Sequence, residues 1–240
     1  MTSPGFTWTS SALTHVGFAR TKNEDAVYAR PEFGLWAVAD GMGGHLNGEV
    51  ASGLIIESLA KLKPQPELSM MVEFIEHALV EVNRQLLDLA LGTQQTIGSS
   101  VVVLAAVARH VALVWAGDSR IYRARAQQLV QLTTDHSQAE MLVALGVMPW
   151  GDAVRHPQAQ HLTRAIGAHP TLRLELEICA VEPGDRFLLC SDGLDKHVSS
   201  LEIAECLSAH DLNACTDGLL ALTLARGAGD NVTVCVVECA

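Results

Sequence analysis

Acidic residues mark the ends of several apolar segments of this chain. Four aspartates share this position, namely Asp40 after LWAVA, Asp118 after VALVWAG, Asp192 after RFLLCS and Asp230 directly before NVTVCVVE. Glu24 and Asp25 likewise precede the segment AVYAR. Opposite ends of neighbouring strands meet at one edge of an antiparallel sheet, so carboxylates that are distant in sequence can lie close together there. The pattern therefore predicts an acidic cluster at a sheet edge.

Carboxylates within a few ångströms of one another raise each other's pKa unless a cation neutralises them. Oxygen ligands without a nearby Cys or paired His favour Mg²⁺ or Mn²⁺ over Zn²⁺. In ADGMGGH, we expect Gly41 to turn the chain so that its carbonyl faces a metal, and Gly43 and Gly44 to admit substrate or water. Asp followed by Gly is also an ordinary turn signal. Repetition of the pair favours a metal site, but spacing alone leaves both interpretations open.

The elements that would position these acids are predicted from apolar periodicity. Residues 48–62 and 67–91 have the pattern of amphipathic helices, as does 211–227, and a shorter helix is expected at SLEIAECLSAH. Segments rich in branched residues are predicted strands, namely DAVYAR, GLWAVAD, TIGSSVVVLAAVA, HVALVWAGD, RIYRAR, LRLELEIC, RFLLCSD and NVTVCVVE. Short links such as Arg109-His110 favour antiparallel hairpins, and hence an α+β fold.

The stretch from His136 to Arg164 contains MPWGD and RHPQAQH and has little clear periodicity. We expect a partly helical insertion there, close to a functional edge. Since no repeat, low-complexity tract or linker divides the chain, residues 1–240 are predicted to form a single domain.

Composition narrows the function classes. A formal charge of -11 argues against nonspecific binding to nucleic acid or to anionic membranes. No apolar run reaches the roughly 20 residues of a membrane-spanning helix, and the N-terminus lacks the pattern of a secretion signal. The six cysteines form no CxxC pair and lie mostly in apolar segments, as core residues in a reducing compartment do. We therefore expect a cytoplasmic protein.

Eight motifs follow one another from residue 17 to residue 237. They are GFARTKNEDAVYA, ADGMGGHLNGEVAS, IGSSVVVLAAV, WAGDSRIYR, LTTDHS, LTRAIG, PGDRFLLCSDGL and GAGDNVTVCVV. In this order they resemble the PPM family of metal-dependent Ser/Thr protein phosphatases, type 2C, in its compact bacterial form. The resemblance covers nearly the whole chain.

The resemblance implies a four-layer α-β-β-α sandwich of two antiparallel sheets flanked by helices, with a flap at about 138–160 near the metal site. It implies hydrolysis of phosphoserine and phosphothreonine in proteins, by direct attack of a bridging metal-activated water. The implied cofactors are two Mn²⁺ or Mg²⁺ ions, with a third, weaker ion in bacterial members. The implied partners are phosphorylated proteins and a cognate bacterial Ser/Thr kinase, and we expect a monomer.

The resemblance also implies a set of metal ligands. Asp40 would bridge the two ions, and the Gly41 carbonyl would bind one of them. Glu24 would bind that first ion directly or through water. Asp192 and Asp230 would hold the other ion.

Three further roles follow from the same resemblance. Asp118 would form the weaker third site with Asp192. Asp25 would orient metal-bound water. Arg20 would grip the substrate phosphate, a role that suits a planar cation with forked donors.

The chain departs from the animal form of the family at the proton donor. Met42 takes the place of a histidine that lies two residues after the bridging aspartate, and a thioether cannot supply a proton. His45 is the nearest substitute as general acid, with metal-bound water as its rival and helix capping as its structural alternative. His136 and His161 border the insertion, and we expect both to be exposed loop residues.

The flap contains Met148 and Trp150, which could contact a phosphopeptide, although packing of the flap onto its own domain is the favoured interpretation. Two alternatives to a general protein phosphatase stay open. One is a catalytically silent binding module of the same fold, which the full set of acids argues against. The other is a phosphatase dedicated to one regulatory or secretion-system protein, which the sequence does not separate from the first hypothesis.

Overall fold

The computed structural model describes residues 6–43, 47–92 and 95–240. The strands in these ranges are β1 (Trp8–His15), β2 (Asp25–Arg30), β3 (Leu35–Met42), β4 (Gly98–Val107), β5 (His110–Ala116), β6 (Arg120–Arg125), β7 (Gln128–Gln131), β8 (Glu175–Ala180), β9 (Arg186–Cys190) and β10 (Val232–Cys239). They pair antiparallel in two five-stranded sheets. The first sheet has the order β1-β10-β9-β6-β7, and the second has the order β2-β3-β4-β5-β8.

The helices lie outside the two sheets. They are α1 (Asn47–Ala60), α2 (Leu68–Ala90), α3 (Gln138–Ala144), α4 (Trp150–Ala153), α5 (Asp192–Asp195), α6 (Ser200–Leu207) and α7 (Leu212–Ala225), with a short 3₁₀ turn at Pro31–Phe33. Helix α6 begins with a capping box between Ser199 and Glu202, and the Asp211 side chain caps α7.

Three apolar layers separate four layers of secondary structure. The first, between the second sheet and α1 with α2, contains Ile55, Leu79 and Val103. The middle layer, between the sheets, contains Trp36 and Phe187, both fully buried. The third, where α5 to α7 cover the first sheet, is described by Val198, Ile203, Leu219, Leu188 and Val234. The predicted four-layer sandwich is therefore confirmed.

The burial of β3 on both faces explains why its first five residues, 35–39, are all apolar. Leu35, Ala37 and Ala39 belong to the helix-facing layer, whereas Trp36 and Val38 belong to the layer between the sheets. Since successive side chains of a strand point to opposite faces, a strand covered on both sides needs apolar residues throughout. Such a strand places its last polar residue, Asp40, at the rim of the core.

Two strands were not predicted, and both are sheet edges. Strand β1 has the largely polar sequence WTSSALTH. Strand β7 has only four residues, and three of them are exposed. An edge strand buries one face and makes half of its ladder bonds, so its apolar signal is weak. Strand β8 also begins three residues later than the segment LRLELEIC implied.

The insertion at 136–164 contains the short helices α3 and α4, so the prediction of partial helicity is correct. Ala139, Ala153 and Ala159 form a small core of its own, and Met148 packs against it. Trp150 remains 48% exposed. The assignment of this segment as a flap, and of 1–240 as a single domain, stay predictions.

The cysteines behave as small apolar residues. All six are free thiols, and Cys190, Cys215, Cys235 and Cys239 are buried. Within the described ranges, no helix is both long and apolar enough to cross a membrane.

Candidate metal centre

Asp25 and Asp40 lie directly opposite each other on neighbouring strands, at the start of β2 and near the end of β3. The remaining acids arrive from loops at the same edge: Asp118 follows β5, Asp192 begins α5, and Asp230 precedes β10. A cleft of about 380 Å³ opens there. Its lining includes Arg20, Glu24, Asp40, Gly41, Asp118, Asp192 and Asp230. The structure therefore brings together residues up to 210 positions apart.

The carboxylates of this cluster oppose one another's ionisation. Burial raises the pKa of Asp40 well above its usual range, and the negative charges of Asp25, Asp192, Asp118 and Asp230 raise it further. Burial, followed by Asp192 and Asp135, raises the pKa of Asp118 to about 7. Such a group of acids needs positive charge to remain ionised near neutral pH.

Asp25 is held on one oxygen and open on the other. Its Oδ2 atom accepts hydrogen bonds from Ser191 Oγ at 2.8 Å and from Thr233 Oγ1 at 2.7 Å. Its buried Oδ1 atom has no hydrogen-bond donor among the described residues. Burial raises the pKa of Asp25 to about 6, although the two hydroxyl groups act in the opposite direction. An oriented carboxylate with one unpaired oxygen fits the predicted role of positioning a water molecule.

Gly41 does not turn the chain as predicted, because it lies within β3. It is needed for close packing: a Cβ at this position would collide with the backbone of Gly48 at the start of α1 and lie 2.7 Å from the Glu24 carbonyl oxygen. At Gly48, a Cβ would lie 2.8 Å from both Glu24 Oε1 and the Gly41 carbonyl oxygen. Both oxygens therefore lie directly beside Gly48, and a side chain at that position would displace them.

Asn231 fixes the backbone next to Glu24. Its Oδ1 atom accepts from the Glu24 amide at 2.8 Å, and its Nδ2 group donates to the carbonyls of Val16 and Lys22 at 2.9 and 2.8 Å. Ser52 of α1 donates to the Glu24 carbonyl. The sequence analysis assigned no role to Asn231, although it follows Asp230 in the motif GDN.

Ser191, Thr233 and Gly48 were also missed. The two hydroxyl groups that hold Asp25 belong to strand β10 and to the residue after β9, and no sequence pattern links them to β2. Gly48 is one residue into α1, where a glycine carries no recognisable signal of contact with β3.

Two basic side chains pair with acids of the cluster. Arg20 contacts Asp230 through Nε at 2.9 Å and through Nη2 at 3.0 Å. Lys196 Nζ forms an ion pair with Asp192 Oδ2. In the described part of the chain, no three His, Cys, Asp or Glu side chains are already arranged around a single point as metal ligands. Ion pairs to Asp192 and Asp230 give a physical reason, since each turns a carboxylate towards a cation of the protein.

The donor set nevertheless fits hard divalent cations. It consists of carboxylate and carbonyl oxygens, which Mg²⁺ and Mn²⁺ prefer. Glu24 Oε1 and the Gly41 carbonyl oxygen both lie beside Gly48, Asp25 keeps an unpaired oxygen, and burial together with four other acids raises the pKa of Asp40. Bound cations would remove this repulsion.

The structure describes two of the three histidines considered in the sequence, and one of the two differs from the prediction. His45 lies outside the described residues, so its predicted role as general acid stays a prediction. His136 is buried, and the prediction of an exposed loop histidine was wrong for it. It stacks on Trp115, accepts from the Gly117 amide through Nδ1, and contacts Arg164 and Glu175 through Nε2. His161 is exposed as predicted.

Comparison with known families decides the relationship. The profile described as protein phosphatase 2C matches residues 19–220. The chain belongs to the protein phosphatase 2C family. This membership confirms the resemblance found in the eight motifs.

Relatives of this family 2C chain share both its sequence and its fold. The serine/threonine protein phosphatase PstP of Mycobacterium tuberculosis is 35% identical over 238 residues, which cover 95% of this chain and 44% of PstP. The chain thus spans less than half the length of that relative. The structure described as "PppA, a key regulatory component of T6SS in Pseudomonas aeruginosa" is 40% identical, with a TM-score of 0.90 and coverage of 97% of this chain and 98% of PppA.

A further solved structure of a relative contains metal ions. The catalytic domain of PstP in complex with two manganese ions is 33% identical to this chain, with a TM-score of 0.84. The alignment covers 98% of this chain and 99% of that domain. That relative therefore binds two manganese ions, as the resemblance implied for the family.

Proposed function

We propose that this protein removes phosphate from phosphoserine and phosphothreonine side chains of other proteins, using divalent ions held at the Asp25–Asp40 edge. The observation that supports the proposal best is that four aspartates from four separate segments line one cleft, with the buried Asp25 paired to Asp40 on the neighbouring strand. Each of Asp25, Asp118, Asp192 and Asp230 raises the pKa of Asp40. A protein that used this surface only for binding would have no chemical need for so much unneutralised charge.

Glu24, Asp40, the Gly41 carbonyl, Asp192 and Asp230 would hold two ions, and Asp118 with Asp192 would hold a weaker third ion. When bound, such ions supply charge neutralisation, a water of lowered pKa and stabilisation of the charge on the phosphoryl group. The remaining steps belong to side chains of the protein.

Asp25 would accept a hydrogen bond from the attacking water through Oδ1, because Oδ2 is already held by Ser191 and Thr233. This arrangement fixes the direction of the water lone pair towards phosphorus. Arg20 would exchange Asp230 for the phosphate oxygens once the negative charge of Asp230 is neutralised. The Arg20 side chain lines the cleft and is 52% exposed, so it can turn without unfolding the site.

The test is Mn²⁺-dependent hydrolysis of p-nitrophenyl phosphate and of a phosphothreonine peptide by the purified chain. We expect activity that a chelator abolishes and that Asp192→Asn lowers at least 100-fold, roughly the loss of one group that stabilises transition-state charge. Asp217→Asn, which changes an exposed aspartate on α7, is the matched control. A folded wild-type chain without activity in Mn²⁺ would favour the binding-module alternative.

A second candidate is a phosphatase dedicated to one regulatory or secretion-system protein. The 40% identity to PppA, described as a regulatory component of T6SS, favours this narrower function over a broad one. Phosphoproteomics of a deletion strain separates the two. One or two phosphoproteins that accumulate would support a dedicated enzyme, and a broad rise would support a general one.

The finer predictions belong to the same proposal. They comprise Mn²⁺ or Mg²⁺ as the bound ions with a third, weaker ion, a cognate Ser/Thr kinase that the phosphatase opposes, a monomeric state and a cytoplasmic location. The formal charge of -11 argues against nonspecific binding to nucleic acid and so supports protein substrates.

A further inference from the structure

Lys196 forms an ion pair with Asp192, a carboxylate that the proposed metal centre would need as a free ligand. Helix α5 is a single turn, and Lys196 continues its helical backbone with φ -65° and ψ -20°. Residues four apart on a helix face each other, so the Lys196 ammonium reaches the carboxylate of Asp192, the first residue of α5. Both side chains are largely covered, with Lys196 33% and Asp192 20% exposed.

The cavities place Lys196 on one side of the centre. A smaller cavity of about 150 Å³ lies between the metal edge and the insertion, and its lining includes Asp118, Asp192, Lys196 and Trp150. The larger cleft has Asp40 and Asp230 in its lining together with Asp118 and Asp192. Lys196 therefore approaches the shared carboxylate of Asp192 from the side of Asp118, away from Asp40.

The other acids of the smaller cavity already have a cation. Arg120 contacts Asp135 at 2.7 Å and Asp195 at 2.8 Å. Lys196 is the cation that pairs with Asp192. The ammonium thus lies against Asp192, in a cavity whose lining also includes Asp118.

We propose that Lys196 competes with the divalent ion between Asp118 and Asp192 and keeps this ion weakly bound. An ammonium hydrogen-bonded to Asp192 Oδ2 withholds one ligand oxygen, and its charge repels a second cation nearby. The inference rests on the proposed metal centre. It concerns a residue that the family motifs do not include, since the motif ends at Leu194 in PGDRFLLCSDGL.

Isothermal titration of the metal-free full chain with Mn²⁺ tests the proposal by counting ions and measuring their affinities. We expect wild type to bind one group of Mn²⁺ ions tightly and one further Mn²⁺ ion weakly. In Lys196→Met, the affinity for the weakly bound ion should rise about tenfold, or by about 1.4 kcal/mol. Lys196→Gln gives the same result by a polar route, which guards against a folding effect of methionine. Lys196→Arg keeps the charge and should resemble wild type.

A double variant locates the effect. Adding Asp118→Asn to Lys196→Met should abolish the strengthened binding of the weak Mn²⁺ ion, while the tightly bound ions remain. Unchanged affinities in both Lys196→Met and Lys196→Gln, with Mn²⁺ binding otherwise normal, would overturn the role of Lys196 alone. If wild type and all variants bind no Mn²⁺, the metal centre itself is wrong, and the proposed function falls together with this inference.

Discussion

Asp25 on β2 and Asp40 on β3 are cross-strand partners, with their backbones paired in register and both carboxylates buried or nearly so at the rim of the core. Cross-strand partners lie about 4.5 to 5.5 Å apart at Cβ, and like charges there are destabilising. Without metal, the fold therefore carries a repulsion that function requires. Removing one charge should make the metal-free protein more stable.

Asp40→Asn is expected to raise the Tm of the chelator-treated protein at pH 8 by roughly 3 °C or more, at about 2–4 °C for each kcal/mol relieved. The pKa of Asp25 is raised to about 6 in the fold, so its stabilising contribution is complete below about 3.9 and is lost as the pH rises through 6. Metal-free wild type should thus lose stability between about pH 4 and pH 6, and Asp118, whose pKa is raised to about 7, should extend the loss to about pH 7. Asp40→Asn should lose less.

Thermal unfolding at pH 5, 6.5 and 8, with and without Mn²⁺, checks this pattern. Asp217→Asn serves as the control, because that aspartate is exposed on α7 and should leave the pH profile unchanged. With Mn²⁺ present the order should reverse, since wild type gains stability from binding that the variant lacks. A variant that is less stable than wild type in chelator at pH 8 would contradict the repulsion.

The buried framework of the fold was predictable because its signals are local. Strands β3 and β4 are covered on both faces, and their unbroken apolar sequences identify them and the acid at the end of β3. The edge strand β1 could not be found the same way, because its ladder partner β10 lies more than 200 residues away. Its polar, half-exposed side chains give no periodic signal of their own.

The sequence predicted the acidic residues of the site but missed the residues that hold them in place. Acid-glycine pairs at strand ends identified the aspartates, since few other roles place them there repeatedly. The supports Asn231 and Gly48 act through contacts with Glu24, which is distant in sequence from both. The Lys196 ion pair depends on α5 being helical for one extra residue, which four residues of sequence do not determine.

Arg20 is expected to act mainly on substrate binding. Arg20→Ala should lower kcat/KM for a phosphothreonine peptide about 10- to 100-fold, because a charged hydrogen bond to phosphate contributes about 1.5–3 kcal/mol. Most of the loss should be in KM. Arg20→Lys keeps the charge but not the forked donors, and should recover only part of it.

Steady-state kinetics with saturating Mn²⁺ measures these effects. Arg84→Ala removes an equally exposed arginine with ion pairs to Glu81 and Asp88 on α2, and should leave both constants unchanged. If Arg20→Ala has a normal KM, the guanidinium stays with Asp230 during turnover and does not bind the phosphate.

Asn231→Ala is expected to destabilise the protein by about 2–4 kcal/mol. The substitution leaves the Glu24 amide and the carbonyls of Val16 and Lys22 without their partner, and each unsatisfied buried group costs about 1–3 kcal/mol before water compensates. Urea unfolding with Mn²⁺ present measures the loss. Asn213→Ala, which removes one exposed hydrogen bond to Ser11, should cost less than about 1 kcal/mol. Equal losses in the two variants would argue against a supporting role of Asn231.

Two glycines of α1 provide a matched pair of substitutions. Gly53 has open space where a Cβ would lie, so Gly53→Ala should stabilise the helix by about 0.5–1 kcal/mol. At Gly48 a Cβ would lie 2.7 Å from Glu24 Cδ and 2.8 Å from the Gly41 carbonyl oxygen, which cannot move away without disturbing β3. Gly48→Ala should therefore cost about 1–3 kcal/mol.

The same substitution separates the fold from the metal centre. Because the added methyl group would push Glu24 Oε1 away from the Gly41 carbonyl, Gly48→Ala should weaken Mn²⁺ binding as well as stability, while Gly53→Ala leaves the affinity unchanged. Calorimetric titration with Mn²⁺ and urea unfolding on the two variants give the comparison. Normal Mn²⁺ affinity in a folded Gly48→Ala protein would mean that these two oxygens do not share an ion, and Glu24 would then have to be removed from the ligand set.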